Sequence, residues 1–245
     1  MRAVLEASVA PRPIHIHIAE QEAEVLECVA TRGVRPVQWL LNELPVDARW
    51  TLIHATHVDD DEVAGMARQG VVAGLCPSTE GNLGDGLFPL EAYMNLGGRF
   101  GIGSDSHVSV SPIEELRWLE YGQRLQTQRR NVAYSTNRST GEALLTYAIG
   151  GGAQATGASV GWFEEADVDA YTKGSRADLI VLDEAAPTLV ARDKPAIIDS
   201  WLFSGNRSAI RHVMVGGEWR VRDGVHAKRV EIANRYARSV TGLGG

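Results

Sequence analysis

The sequence predicts an α/β fold built on a parallel sheet, followed by a smaller β-structure. Three observations carry this. Apolar runs of strand length alternate with helical patterns from Ile14 to about Ile102. Capping and stopping residues stand where those helices should begin and end. From about Gly174 the pattern changes to short strands with a Gly-Gly turn.

The elements follow in order. "IHIHI" (14–18) is the first strand. Side chains alternate along it, so His15 and His17 share one face and Ile14, Ile16 and Ile18 take the other. Neither imidazole is buried cheaply without a partner. "AEQEAEVLECVATRG" (19–33) reads as a helix closed near Gly33, and "PVQWLLNEL" (36–44) as a second, with Pro36 suited to its first turn. "WTLIHA" (50–55) is the next strand. In "DDDEVAGMARQG" (59–70), Asp59 caps a helix, Glu62 completes a capping box and Gly70 stops it. "VVAGLCP" (71–77) is a third strand, "CPSTEGNLGDG" (76–86) a Gly/Asn-rich loop, and "RFGIGSD" (99–105) ends a fourth strand. "SPIEELRWLEYGQRLQTQRR" (111–130) is a strong helix: Ser111 caps, Pro112 opens it and Glu114 lies in its first turn. Beyond Gly174, "RADLIVLD", "AIRHVMVGGEWRVRDG" and "HAKRVEI" read as short strands.

Strands alternating with helices imply βα units. An eight-stranded (β/α) barrel needs about 250 residues for its eight units. Four strands fit between residues 14 and 105 here, so the expectation is half a barrel and then a β-rich tail.

Composition narrows the functional classes. The chain has 245 residues, 44% of them hydrophobic, with 24 basic against 31 acidic residues and a formal charge of -7. That length and apolar share suit a globular protein with a sizeable core. The acidic balance argues against non-specific nucleic-acid binding, and no basic cluster exceeds Arg129-Arg130. No apolar run approaches the ~20 residues of a membrane span, and the first residues lack the apolar stretch of a signal peptide. Two cysteines, Cys28 and Cys76, suit free thiols in a reducing cytoplasm better than a disulfide framework. The expected location is therefore cytoplasmic, with no membrane partner.

Reactive groups in (β/α) architectures gather at the carboxyl ends of strands. The first strand offers His17 with Glu20 just past it, the second His54 and His57, and the fourth Asp105 and His107. His17 to His54 spans 37 residues (54 − 17), about one βα unit; His54 to Asp105 spans 51 (105 − 54), enough for two. Alone, each is more often a hydrogen-bonded core histidine or a turn-capping aspartate than a metal ligand. Together at matching strand ends they suggest a metal site, because imidazole and carboxylate suit Zn²⁺ or another first-row ion. A non-ligating Glu20 would then handle protons on an attacking water. His15 and His57 read as supporting or packing residues, His107 as open, and His212 and His226 as surface positions. Cys28 reads as packing, and nothing beside Cys76 suggests a nucleophile. "EGNLGDG" lacks the residues of a phosphate-binding loop.

"HIHIAEQ", "LIHATHV", "CPSTEGNLGDGLFP" and "GIGSDSHVSVSPIEELRWLEYGQRL" together resemble the metal-dependent amidohydrolase superfamily, and within it the formimidoylglutamate deiminase family. The resemblance runs from about residue 14 to the end, with "GWFEEADVDAYTKG" longer and more acidic than the family pattern. It implies the C-terminal half of a (β/α)8 TIM-like barrel over residues 1–173, then strands of a small β-sandwich domain over 174–245 with a terminal helix or tail. It implies zinc as cofactor, with His17 and Asp105 as metal ligands. Glu20 then transfers protons, His54 polarises the group under attack, and Asp105 also accepts a proton. The family's first-strand His-x-His pair and its substrate-carboxylate-binding residues find no match here. The implied reaction is hydrolysis of N-formimidoyl-L-glutamate to N-formyl-L-glutamate and ammonia, in histidine degradation, with the chain alone inactive. The implied partners are that small substrate, and a second copy of the chain or the missing N-terminal half. A purine, pyrimidine or triazine deaminase of the same superfamily, or an inactive fragment, are the alternatives.

Overall fold

The computed structural model describes residues 5–6, 12–158 and 176–243. Four strands, β1 (Ile14–Ile18), β2 (Trp50–His54), β3 (Val72–Leu75) and β4 (Arg99–Ile102), form one sheet in the order β1-β2-β3-β4. All three pairings are parallel, with Ile18 opposite His54 and Leu75 opposite Ile102. The chain is an α/β protein with a parallel sheet, as its alternating pattern implies. In-register pairing brings the carboxyl ends of all four strands to one rim.

The helices between strands begin and end where local chemistry directs. Helix α1 (Glu22–Arg32) stops at Gly33 in the left-handed conformation, and α2 (Pro36–Glu43) opens on its proline. Helix α3 (Asp60–Gln69) has both halves of the Asp59–Glu62 capping box, and Gly70 closes it. Glu62 also does what no local pattern reveals. Its buried carboxylate accepts from Arg35 Nε at 2.7 Å and from the Gln38 amide at 3.0 Å, tying the start of α2 to the start of α3. Pro112 opens α6 (Pro112–Thr127) under a Ser111 cap.

"CPSTEGNLGDG" corrects the expectation of a loop: Pro77–Leu83 is a helix, α4, followed by α5 (Leu90–Asn95). Proline at its first turn and two bonds from Ser78 to the buried Glu115 (N–H at 2.8 Å, Oγ at 2.6 Å) hold α4 against α6. These tertiary bonds override a glycine-rich composition.

Helix α7 (Thr140–Thr156) is an addition to the expected elements and closes the far end of the sheet. Its Gly150-Gly151-Gly152 run would ordinarily weaken a helix. Here it permits contact, since a Cβ on Gly151 would lie 2.0 Å from the Phe100 carbonyl oxygen of β4. Past that point the helix runs beneath the amino ends of the strands. Gln154 donates to the Ala48 and Gly70 carbonyls, just before β2 and β3, and Ala155 receives His15 from β1. The sheet is sealed below and open above.

The second sheet is antiparallel: β5 (Leu179–Leu182), β6 (Ile210–Val215), β7 (Glu218–Arg222) and β8 (Val225–His226), in that order. Two-residue turns, Gly216-Gly217 and Asp223-Gly224, all at positive φ, join its hairpins. The expected strand "HAKRVEI" is corrected. Pairing ends at His226, and Arg229–Leu243 forms helix α9. Between β5 and β6 the chain returns to the first layer as α8 (Lys194–Phe203). There Leu202 is fully buried, and Asp199 accepts from the Gly141 amide at the start of α7. The stretch "GWFEEADVDAYTKG" and the expected boundary at 173/174 lie outside the described residues.

The core lies between the parallel sheet and its helices. Trp50, Leu52, Leu75 and Phe100 from the strands meet Leu40, Met66, Tyr93, Leu116 and Leu144, all fully buried. Each such side chain contributes about 1.5–3 kcal/mol relative to exposure. No helix among the described residues is long and apolar enough to cross a membrane.

Candidate active site at the strand ends

The rim above the sheet is built from residues that leave regular strand geometry. Ala19, His54, Ala55, Asp105 and His107 all have positive φ. Such conformations cost roughly 1–3 kcal/mol each for residues other than glycine and persist only where surroundings hold them. The supports are visible. Glu24, in the first turn of α1, accepts from the Ala19 amide (2.9 Å) and the Glu20 amide (3.1 Å), fixing the turn that presents Glu20. Arg35 donates to the His57 carbonyl behind the β2 turn. Thr79 on α4 contacts the Ser104 carbonyl (3.3 Å) and accepts from the Ser106 amide (3.2 Å), clasping the turn that carries Asp105.

These turns bring His17, His54 and Asp105 together, with Glu20 beside them. Each of the first three offers a ligand atom within 4.8 Å of the others. His54 is wholly buried, and its Nε2 lies 3.2 Å from His17 Nδ1 and 3.6 Å from Glu20 Oε1. Its other nitrogen, Nδ1, is 3.2 Å from Glu80 Oε1, an oxygen that also accepts from the Cys76 amide at 2.9 Å.

Acidic groups dominate the electrostatics. Burial pushes the Glu20 carboxyl above its ordinary pKa; Asp85 and Asp105 add to the shift, while His54 and His17 oppose it. For His54, burial resists charging, but the hydrogen bond to Glu80 and the charges of Glu20 and Asp105 outweigh it and raise its pKa. A second trio, His54, Cys76 and Glu80, is also close-set. Burial drives the Cys76 thiol up to about 12, so it stays protonated and is a poor ligand beside the first trio. The His17 imidazole and the Asp105 carboxylate are donors that fit a divalent first-row ion, with the His54 imidazole beside them.

Other candidates fall elsewhere. His15 points its Nε2 at the Ala155 carbonyl (2.7 Å), beneath the sheet. His57 bonds the Asp85 carbonyl (2.7 Å), pinning the loop after α4 to the rim. His107 is exposed beside Asp105. His212 and His226 lie in the second sheet, each partly exposed. Cys28 is half-buried on α1. Sequence reasoning did not single out Glu80 or Asp85. Asp85 is buried, takes a bond from Gln21 on one oxygen (3.1 Å), and its other oxygen has no hydrogen-bond partner among the described residues. The available signal was a pair of acids downstream of Cys76-Pro77, masked by its loop-like glycines.

The chain is 51% identical over 234 residues to formimidoylglutamate deiminase of Pseudomonas aeruginosa, a match covering 95% of this chain and 50% of that protein. It is 29% identical over 214 residues to a 5-methylthioadenosine/S-adenosylhomocysteine deaminase of Natronomonas pharaonis, covering 86% of this chain and 46% of the relative. The chain thus spans about half the length of the curated relatives it matches. Among solved structures, an amidohydrolase from Brucella melitensis superposes with a TM-score of 0.85 at 42% identity, covering 96% of this chain and 50% of that one. An adenosine deaminase from Xanthomonas campestris with bound zinc shares the fold, with a TM-score of 0.76 at 23% identity over 93% of this chain and 50% of its own. The sequence model of the amidohydrolase family matches residues 1–220, and the chain belongs to that family.

Proposed function

We propose that this chain supplies the His17, Glu20, His54 and Asp105 side of a deiminase that hydrolyses N-formimidoyl-L-glutamate to N-formyl-L-glutamate and ammonia. The observation that carries the reading is the convergence of these four residues at one rim, in a chain half identical to a formimidoylglutamate deiminase. In this reading the parallel sheet is the C-terminal half of a (β/α)8 barrel within residues 1–173, and the antiparallel sheet of 174–245 belongs to a β-sandwich domain. Helix α8 then ties the second part to the first.

His17 and Asp105 would hold a metal ion, which we take to be zinc; when bound it would supply the Lewis acidity that activates water near neutral pH. The chain's own residues do the rest. His54 Nε2 faces the reacting oxygen and orients it. The Glu20 carboxylate, made more basic by burial, takes a proton as the C–O bond forms and returns it to the nitrogen as the C–N bond breaks. Asp105 receives the remaining proton. Ammonia leaves, and the formyl carbonyl remains. An amidine is cationic at neutral pH, and a rim lined by Glu20, Asp85 and Asp105 is suited to it. Two free thiols suit a cytoplasmic setting.

The test is co-expression of this chain with the half of the Pseudomonas aeruginosa relative that it does not match. Ammonia release from N-formimidoyl-L-glutamate should then be steady, and residues 1–245 alone should give none. Turnover of 5-methylthioadenosine in place of the formimidoyl substrate would overturn the substrate assignment. Full turnover by the chain alone would overturn the half-site reading.

A further inference from the structure

We propose that Glu80 is the positioning residue for His54: its carboxylate holds the ring with Nδ1 as the hydrogen-bond donor, so that Nε2 is the nitrogen offered to the reaction. The inference rests on the proposed role of His54, which it deepens. His54 ends β2 at φ 65, with its side chain wholly buried, so nothing regular in the backbone sets the ring's orientation. Among the described residues Nδ1 has one hydrogen-bond partner, Glu80 Oε1 at 3.2 Å. The same oxygen accepts from the Cys76 amide, which anchors the carboxylate to the end of β3. A carboxylate oxygen facing an imidazole nitrogen makes that nitrogen the donor, and the other nitrogen is then the one free to accept.

The comparison with the other buried carboxylates separates this from ordinary loop support. Glu62 takes Arg35 and the amides of Gln38 and Asp59; Glu115 takes Ser78 twice; Glu120 takes Arg124 and the amides of Val132 and Ala133. Each of these serves a helix start or a loop. Glu80 alone in this group turns an oxygen to an imidazole of the site. It reaches His54 from α4 across 26 residues of sequence, so the ring is set by the packing of a different element.

The experiment has two readouts. In the ¹⁵N-histidine-labelled chain, long-range ¹H–¹⁵N correlation should show the His54 proton on Nδ1. A wild-type His54 protonated on Nε2 alone would overturn the inference before any variant is made. Glu80→Ala should change that pattern, while Glu80→Gln, whose amide oxygen accepts the same two bonds, should preserve it. In the co-expressed enzyme Glu80→Ala should lower kcat about 10–100-fold, with KM and bound metal unchanged and Glu80→Gln restoring most of the rate. Glu120→Ala, which removes a buried carboxylate bonded to Arg124 and the Val132 and Ala133 amides rather than to His54, should lower the melting temperature and leave the His54 signal and kcat as they were. An unchanged His54 pattern in Glu80→Ala, or an equal kcat loss in Glu120→Ala, would refute it. If the wild-type co-expressed enzyme does not act on N-formimidoyl-L-glutamate, the functional reading fails, and the labelled spectra still decide the role of Glu80.

Discussion

His54 Nε2 and Glu20 Oε1 stand 3.6 Å apart, one from the end of β2 and the other from the turn after β1. That is slightly long for a direct bond and leaves the pair free to share a water. The Glu24 carboxylate holds Glu20 there through its backbone rather than its side chain, so the side chain remains free to work.

Glu20→Gln keeps the shape of this arrangement and removes the base. In the co-expressed enzyme it should retain metal and lose roughly 10²–10⁴-fold in kcat, the range for a positioned acid–base group. Elemental analysis with steady-state assays separates the outcomes: lost metal would make Glu20 a ligand, and unchanged turnover would make it structural.

His17→Ala and Asp105→Asn address the ion. Asparagine tolerates the positive φ of Asp105, so the turn should survive while the charge is lost. Both variants should bind substoichiometric metal by mass spectrometry. A full equivalent of ion in either one removes that residue from the ligand set.

Gly151→Ala and Gly150→Ala form a matched pair. Alanine is favoured over glycine inside an exposed helix by about 1 kcal/mol, and Gly150 has open space around it, so Gly150→Ala should leave the melting temperature level or raise it. At Gly151 the added carbon meets the Phe100 carbonyl, and α7 must lift off β4. Overpacking of this kind costs about 1–3 kcal/mol, so the midpoint should fall by several degrees in thermal melts. Equal effects at both sites would mean that α7 does not lie on β4.

Cys76 and Tyr93 should make the fold sensitive to alkali. Burial raises the Cys76 thiol from 9.0 to about 12, and burial likewise pushes the Tyr93 hydroxyl, which donates to the Val71 carbonyl, well above its ordinary value. Both groups lose their protons earlier in the unfolded chain than in the folded one. Their contribution is therefore complete below pH about 9 and declines as pH rises toward about 12. Denaturant midpoints should drop over that window, and alkylation at pH 8 should modify Cys28 ahead of Cys76. Rapid native-state labelling of Cys76 would contradict its burial.

Much of this was legible in the sequence, for local reasons. Asp59 with Glu62, Ser111 with Pro112, Gly33 and Gly70 mark helix ends by chemistry confined to one turn, and each acts in the structure as its position implies. His17, Glu20, His54 and Asp105 stood out because a strand's two-residue period and its carboxyl end are both readable in one dimension. Helix α4 was not readable, because its glycines and asparagine speak for a loop and the bonds that hold it come from Glu115, 37 residues past Ser78. The stretch after His226 misled in the opposite direction: "HAKRVEI" alternates like a strand, yet β8 pairs only through His226 and helix α9 follows.

The sequence by itself determined the parallel α/β order, the helix limits and the four candidate residues that meet at the rim, because those depend on spacing, capping and side-chain alternation. The tertiary structure decided what those residues face. His15 shares a strand face with His17, yet it caps α7 below the sheet while His17 meets His54 above it. Glu80 is one acid among many until α4 packs on α6 and turns it toward His54. Local rules set where a side chain leaves the backbone. Its partners are set by which distant elements pack against it, and no one-dimensional pattern encodes that distance.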